Sequence, residues 1–214
     1  AAFAERVLPL PTLRPHVPAQ AEAAEGLVQR GDRAVWAPAH KTALRLLICV
    51  RVCGALVNGV ADCDEAFNFW EPAHYLLYGH GRQTWEYAPR FALHTWAYVA
   101  PHAVVAWAAR ALLFFDAGAG ASKPLAFFAT RVCLGVFCAA GEAAFYRASV
   151  ARFGRRVGAY LLLLLLCGAG TCLAASAFLP SAFAMACCLR GHAHWFRGAH
   201  ARAVGWAALA CFLG

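Results

Sequence analysis

Acidic side chains are scarce in this chain: 11 of 214 residues are Asp or Glu. Charged residues together make up 14%, against about 25% in a soluble globular domain, and apolar residues reach 62%, against about 45–50%. That imbalance excludes one large water-soluble core and points to membrane spans. No CxxC pair occurs among the ten cysteines, so neither a zinc ribbon nor a thioredoxin-type redox pair is supported. All but Cys63 lie in apolar segments, where a thiol acts as a small hydrophobe. No long strand-like alternation appears, so the expected fold is all-α, a set of polytopic membrane helices. The net charge of +8 does not make a nucleic-acid binder, because the basic residues sit in short clusters between apolar segments.

What is present falls into an ordered series. Residues 1–42 are polar, with Pro9, Pro11, Pro15 and Pro18, and read as a disordered tail. Residues 43–61 form the first candidate span, with Arg45 near one end and Arg51 near the middle. An arginine at mid-span costs roughly 2.5–3.5 kcal/mol on insertion scales, so Arg51 should face protein or a lipid headgroup. Residues 124–146 and 157–175 are further spans, the latter carrying Leu161 to Leu166. Residues 177–189, with Pro180, are a shorter apolar piece, and 203–214 begin another. The stretch 91–115 is broken by His94, Pro101, His102 and Arg110. Three basic clusters set the orientation: Arg6 to Lys41, Arg147 to Arg156, and Arg190 to Arg202. The positive-inside rule puts all three on the cytosolic side. They agree only if 91–115 lies in the interface and does not cross, which leaves 62–123 as one region on the far side. The chain itself reads as part of a longer one.

The scarce acids are concentrated. Asp62, Asp64, Glu65, Glu71 and Glu86 fall within residues 58–90, interleaved with Phe67, Phe69, Trp70, Tyr75, Tyr78, Trp85 and Tyr87. Asp62-Cys63-Asp64 is an Asp-x-Asp pair, which in soluble nucleotide-sugar transferases holds a divalent metal. Here it follows a membrane helix, and no nucleotide domain is visible, so no metal is assigned. A carboxylate can instead serve as general base, taking a proton from an acceptor hydroxyl about 2.6–3.2 Å away. The aromatic rings offer flat faces for sugars, or anchors at the membrane interface, and the residue types alone leave both open.

The run Asp62-Cys63-Asp64-Glu65-Ala66-Phe67-Asn68-Phe69-Trp70-Glu71-Pro72-Ala73-His74-Tyr75, with Gln83-Thr84-Trp85-Glu86-Tyr87-Ala88-Pro89 after it, resembles the first lumenal loop of the dolichyl-phosphate-mannose-dependent mannosyltransferases, glycosyltransferase family 22 of the GT-C class. Ser176-Ala177-Phe178-Leu179-Pro180-Ser181 is similar to a later lumenal turn of the same family. The closest pattern is that of the α-1,2 branch that builds the N-glycan precursor. The resemblance implies a multi-pass membrane protein of the endoplasmic reticulum, with 43–214 as the N-terminal part of a GT-C domain. It implies inverting transfer of mannose from dolichyl-phosphate-mannose to a lipid-linked oligosaccharide, in contact with membrane lipid and without a cofactor. It assigns the base role to Asp64 first and to Glu65 second. Asp62, Trp70, Glu71, His74, Arg82, Trp85, Glu86 and Tyr87 are the candidate substrate contacts. His80 and Arg82 depart from the branch pattern and add positive charge that can meet a phosphate. Two rivals stand beside this reading: a mannosyltransferase of glycosylphosphatidylinositol assembly, whose loops carry His-Pro before the acidic pair, and a non-catalytic, lipid-binding polytopic protein.

Overall fold

The computed structural model describes residues 35–113 and 122–213. Among them the regular structure is helical, with no strand. The α-helices are α1 (His40–Val57), α2 (Glu71–Tyr78), α3 (Trp96–Leu113), α4 (Ser122–Phe153), α5 (Arg155–Cys167), α6 (Ala169–Ala174), α7 (Pro180–Phe196) and α8 (His200–Leu213). A π-helix, Glu65–Trp70, runs directly into α2, and a 3-10 turn, Trp85–Tyr87, follows it. Residues Trp36–Gly214 form one compact unit. Most of the expected polar tail, 1–34, lies outside the described residues. Its last stretch is a correction: α1 starts at His40, and the Tyr146 hydroxyl donates to the buried Pro38 carbonyl (2.7 Å).

Helix α4 is the axis of the unit. It packs against α1, α3, α5 and α7. Small residues allow the closest approaches. A Cβ at Gly141 would stand 2.8 Å from the Ala186 carbonyl on α7, and one at Gly135 would stand 3.2 Å from the Arg51 carbonyl on α1. Ala139 and Ala143 are fully buried beside Leu47, Leu162 and Leu165. The stretch Lys123–Phe153 is long and apolar enough to cross a membrane, the one helix among the described residues that meets this test. At 1.5 Å per residue it spans about 46 Å, more than the ~30 Å of a hydrocarbon core.

Arg51 faces protein. Its guanidinium is 1% exposed and pairs bidentately with Glu142 of α4: Nε to Oε2 at 3.0 Å and Nη2 to Oε1 at 2.7 Å. It also donates from Nη1 to Cys172 Sγ (3.1 Å) and from Nη2 to the Leu165 carbonyl. Leu165 needs that partner because the expected span 157–175 is not one helix. The chain leaves helical geometry at Gly168 (ψ 112°), whose N–H still reaches the Leu164 carbonyl at 2.8 Å. A Cβ there would lie 2.7 Å from that carbonyl oxygen and 2.9 Å from Thr171 Oγ1. The break strips the last carbonyls of α5 of their i+4 partners, and Arg51 and Thr171 replace them at Leu165. The apolar run alone carried the expected span through to 175; the glycine and the side-chain donors decided otherwise.

Pro180 takes the first position of α7, where its missing N–H costs nothing. Above the α3–α4–α7 contact, Phe69, Ala73, Tyr98, Val99, Leu134 and Phe178 form a core that carries the acidic loop.

Candidate active site at the acidic loop

Six consecutive exposed residues, 59–64, lead from α1 into the loop. Asp62 starts the helical turn that follows: its Oδ1 accepts the Asp64 N–H at 2.9 Å, satisfying a donor left over at a helix start. Asp62 and Asp64 are both exposed. One oxygen of each, with Cys63 Sγ, lie within 4.8 Å of one another. Acids clustered at an exposed helix start are common without a metal, and all three groups are solvent-facing.

Glu65 is placed quite differently, with 3% of its surface exposed. Its Oε1 accepts Trp70 Nε1–H at 3.0 Å and the Phe178 backbone N–H at 2.9 Å. The neighbouring positions of the acidic pair thus point opposite ways, Asp64 to solvent and Glu65 into the core. Behind Glu65 stands Arg131 of α4, 1% exposed, electrostatically coupled to the Glu65 carboxylate and donating weakly to Ser176 Oγ (3.3 Å).

Beyond the pair, the π-helix and α2 form one wall of a cavity of about 330 Å³. Phe67, Trp70, His74, Tyr78, Phe127 and Phe178 supply rings to it, and Glu71 and Lys123 supply charge. Trp70 is half-buried and packs on Phe127 (4.5 Å) and Phe178 (4.8 Å). His74 lies against Tyr78 (4.5 Å), and its Nδ1 bonds the His80 carbonyl at 2.9 Å. Glu71 Oε2 accepts the Arg82 backbone N–H at 3.0 Å, which folds the loop back over α2. Gly79 makes that return possible, ending α2 with a positive φ of 75° that other residues rarely adopt. The Arg82 side chain remains exposed.

The far end of the loop divides in two. Trp85 is exposed and meets Phe91 edge-on at 5.2 Å. Glu86 pairs with His94 at 3.2 Å. Tyr87 is buried, its ring against Trp96 (4.9 Å) and its hydroxyl donating to the Asn68 carbonyl at 2.7 Å. Burial, with the Glu86 charge adding to it, pushes the Tyr87 phenol up to about 12. Its ring supports the loop from within and presents no free face.

Reading the residues alone passed over Asn58, Arg131 and Phe178. Asn58 falls within the expected span 43–61, and Arg131 within the expected span 124–146. Position offered a clue: Arg131 and Glu142 are eleven residues apart, three helical turns, and so share a face of α4. Phe178 lies in the second stretch of resemblance, but its backbone N–H, the group that matters, has no signature.

Residues 42–214 match the model of the Alg9-like mannosyltransferase family. This chain belongs to that family. Among its Alg9-like relatives it is 40% identical over 176 residues to the alpha-1,2-mannosyltransferase ALG9 of Mus musculus, covering 81% of this chain and 28% of the relative. The Homo sapiens protein of the same name is 39% identical over 181 residues (84% and 28%). The Schizosaccharomyces pombe alpha-1,2-mannosyltransferase alg9 is 41% identical over 140 residues (65% and 23%). The chain therefore spans about a quarter of the length of these relatives. No solved structure matches it.

Proposed function

We propose that this chain is the loop-bearing part of an α-1,2-mannosyltransferase of the endoplasmic reticulum membrane, which moves mannose from dolichyl-phosphate-mannose to a lipid-linked oligosaccharide. The observation that carries the reading is the split of the acidic pair. Asp64 alone of the two is free to meet a substrate, and its backbone is held by the Asp62 carboxylate.

In the reaction, Asp64 takes the proton of an acceptor mannose hydroxyl. That oxygen attacks the anomeric carbon of the donor from the face opposite the phosphate. The new C–O bond forms as the old one breaks, the electron pair leaves with dolichyl phosphate, and the anomeric centre inverts. The cavity, lined by Val60 and Ala66 on either side of Asp64 in the chain, offers Trp70 as an aromatic face and Glu71 and His74 as polar partners for a sugar ring. Trp85 and Arg82 remain exposed, available to a headgroup or donor phosphate. The helices on either side of the loop cross the bilayer with the basic clusters on the cytosolic side, and α3 lies along the lumenal face.

The test is transfer by the full-length enzyme in microsomes, with dolichyl-phosphate-mannose as donor and product linkage determined. Asp64→Asn is expected to lose about 10²–10⁴-fold in rate, the usual worth of a general base, while the protein remains folded. Transfer by that variant at the wild-type rate would overturn the assignment. Supplying a glycosylphosphatidylinositol precursor in parallel separates the two acceptor classes.

A further inference from the structure

The base proposed above stands on a stretch with almost no contacts of its own. Residues 59–64 are all exposed. Asp62 holds the Asp64 backbone, and among the described residues the Asp64 side chain makes only a long contact to Cys63 Sγ (3.9 Å). Yet both ends of the stretch are tied, and to the same short segment. At one end, Asn58 Nδ2 donates to the Cys172 carbonyl at 3.1 Å. At the other, Glu65 Oε1 accepts the Phe178 N–H at 2.9 Å. Each bond joins residues more than a hundred positions apart, and each pairs a side chain of the loop with backbone of segment 172–178. Gly54 leaves room for the first: a Cβ there would stand 3.2 Å from the Cys172 carbonyl and 3.4 Å from Asn58 Nδ2.

We infer that Asn58 and Glu65 are positioning residues, a two-point clamp onto segment 172–178 that sets the place of Asp64, and that this segment is the floor of the active site. The inference rests on Asp64 as the base. The Glu65–Phe178 bond joins the two stretches of family resemblance, 62–89 and 176–181. The clamp also separates the acidic pair by role. Glu65 is enclosed, with its Oε1 occupied by two N–H donors, and it carries the countercharge to Arg131, whose Nε and Nη1 find no hydrogen bond among the described residues. A carboxylate so used holds a position and does not collect protons from substrate.

Two substitutions at one site test this. Glu65→Gln keeps the oxygen that Phe178 and Trp70 need and loses the charge. Glu65→Asp keeps the charge but is one methylene too short to reach Phe178. Positioning predicts that kcat of the full-length enzyme stays within about tenfold for E65Q and falls about 10²-fold for E65D, the scale of a misplacement near 1 Å. KM for dolichyl-phosphate-mannose should stay within about threefold in both, and the acid limb of the pH–rate profile should not move in E65Q. A base at Glu65 predicts the reverse order, and that result overturns the clamp. So does Asn58→Ala with unchanged kcat, since loss of the second tie is expected to cost about tenfold. If the Glu65 variants do not fold, hydrogen exchange on the wild type decides: the Phe178 amide must exchange slowly, and fast exchange refutes the bond. Full activity of Asp64→Asn would instead sink the base assignment, an outcome readable apart from all of these.

Discussion

Glu142→Leu offers the sharpest test of the packing. It deletes the carboxylate that holds Arg51 and leaves a guanidinium, 1% exposed, without its countercharge. Breaking a buried, bidentate pair from one side costs about 3–5 kcal/mol, and Arg51→Met should cost as much by orphaning Glu142. The double variant R51M/E142L behaves differently. Replacing both charges by apolar groups is neutral or stabilising by about 1–4 kcal/mol. Against that, the Leu165 carbonyl, whose helical partner is lost at the Gly168 break, gives up the Arg51 donor, a loss of about 1–3 kcal/mol. The double variant should therefore lie within about 2 kcal/mol of wild type, far above the sum of the singles. Unfolding of the four proteins in detergent, followed by denaturant titration, gives the coupling, expected to exceed about 3 kcal/mol. Additive singles, or a Glu142→Leu protein as stable as wild type, would refute the account of how α1, α4 and α5 are joined.

Other expectations follow from local geometry. Gly141→Leu should force α7 off α4, because even a Cβ meets the Ala186 carbonyl at 2.8 Å; a loss of about 1–3 kcal/mol or more is expected in the same titration. Gly168→Ala should destabilise by a similar amount, since its Cβ would lie 2.7 Å from a backbone oxygen that cannot swing away. Tyr87→Phe should lose about 0.5–1.5 kcal/mol, the worth of the bond to the Asn68 carbonyl. Because the folded Tyr87 phenol is raised to about 12, its contribution is fully present below the unfolded pKa near 10 and fades as pH climbs from there through 12. The wild-type advantage over Tyr87→Phe should therefore shrink between about pH 9.5 and 11, which stability measured across that range will show.

Much of this arrangement could be read from residues. The lack of charge and of strand-like alternation announced helices, and the cost of a mid-span arginine announced that Arg51 must face protein or a headgroup; the structure decides for protein. Asp62, Asp64 and Glu65 stood out because acids are otherwise rare. Position along the chain could not say which way each would turn: a π-helix starting at Glu65 fixes that, and its wide turn has no periodic signature. The partner of Arg51 was visible as the lone acid within a span, yet the pairing needed three dimensions. The Gly168 break was hidden inside an apolar run because hydropathy does not register a ψ of 112°. Contacts made by backbone groups, such as those of Cys172 and Phe178, are written in no side chain at all.

The Arg51–Glu142 pair also imposes a timetable on synthesis. The partners are 91 residues apart, and at about 5–20 residues per second the second follows the first by roughly 5–18 s. Throughout that interval α1 carries an unmatched guanidinium whose entry into lipid is opposed by roughly 2.5–3.5 kcal/mol. Helix α1 is thus ill-suited to leave the insertion machinery alone. On the proposed topology it waits, sheltered by protein or water, until α4 arrives and the two helices enter the bilayer as a neutralised pair.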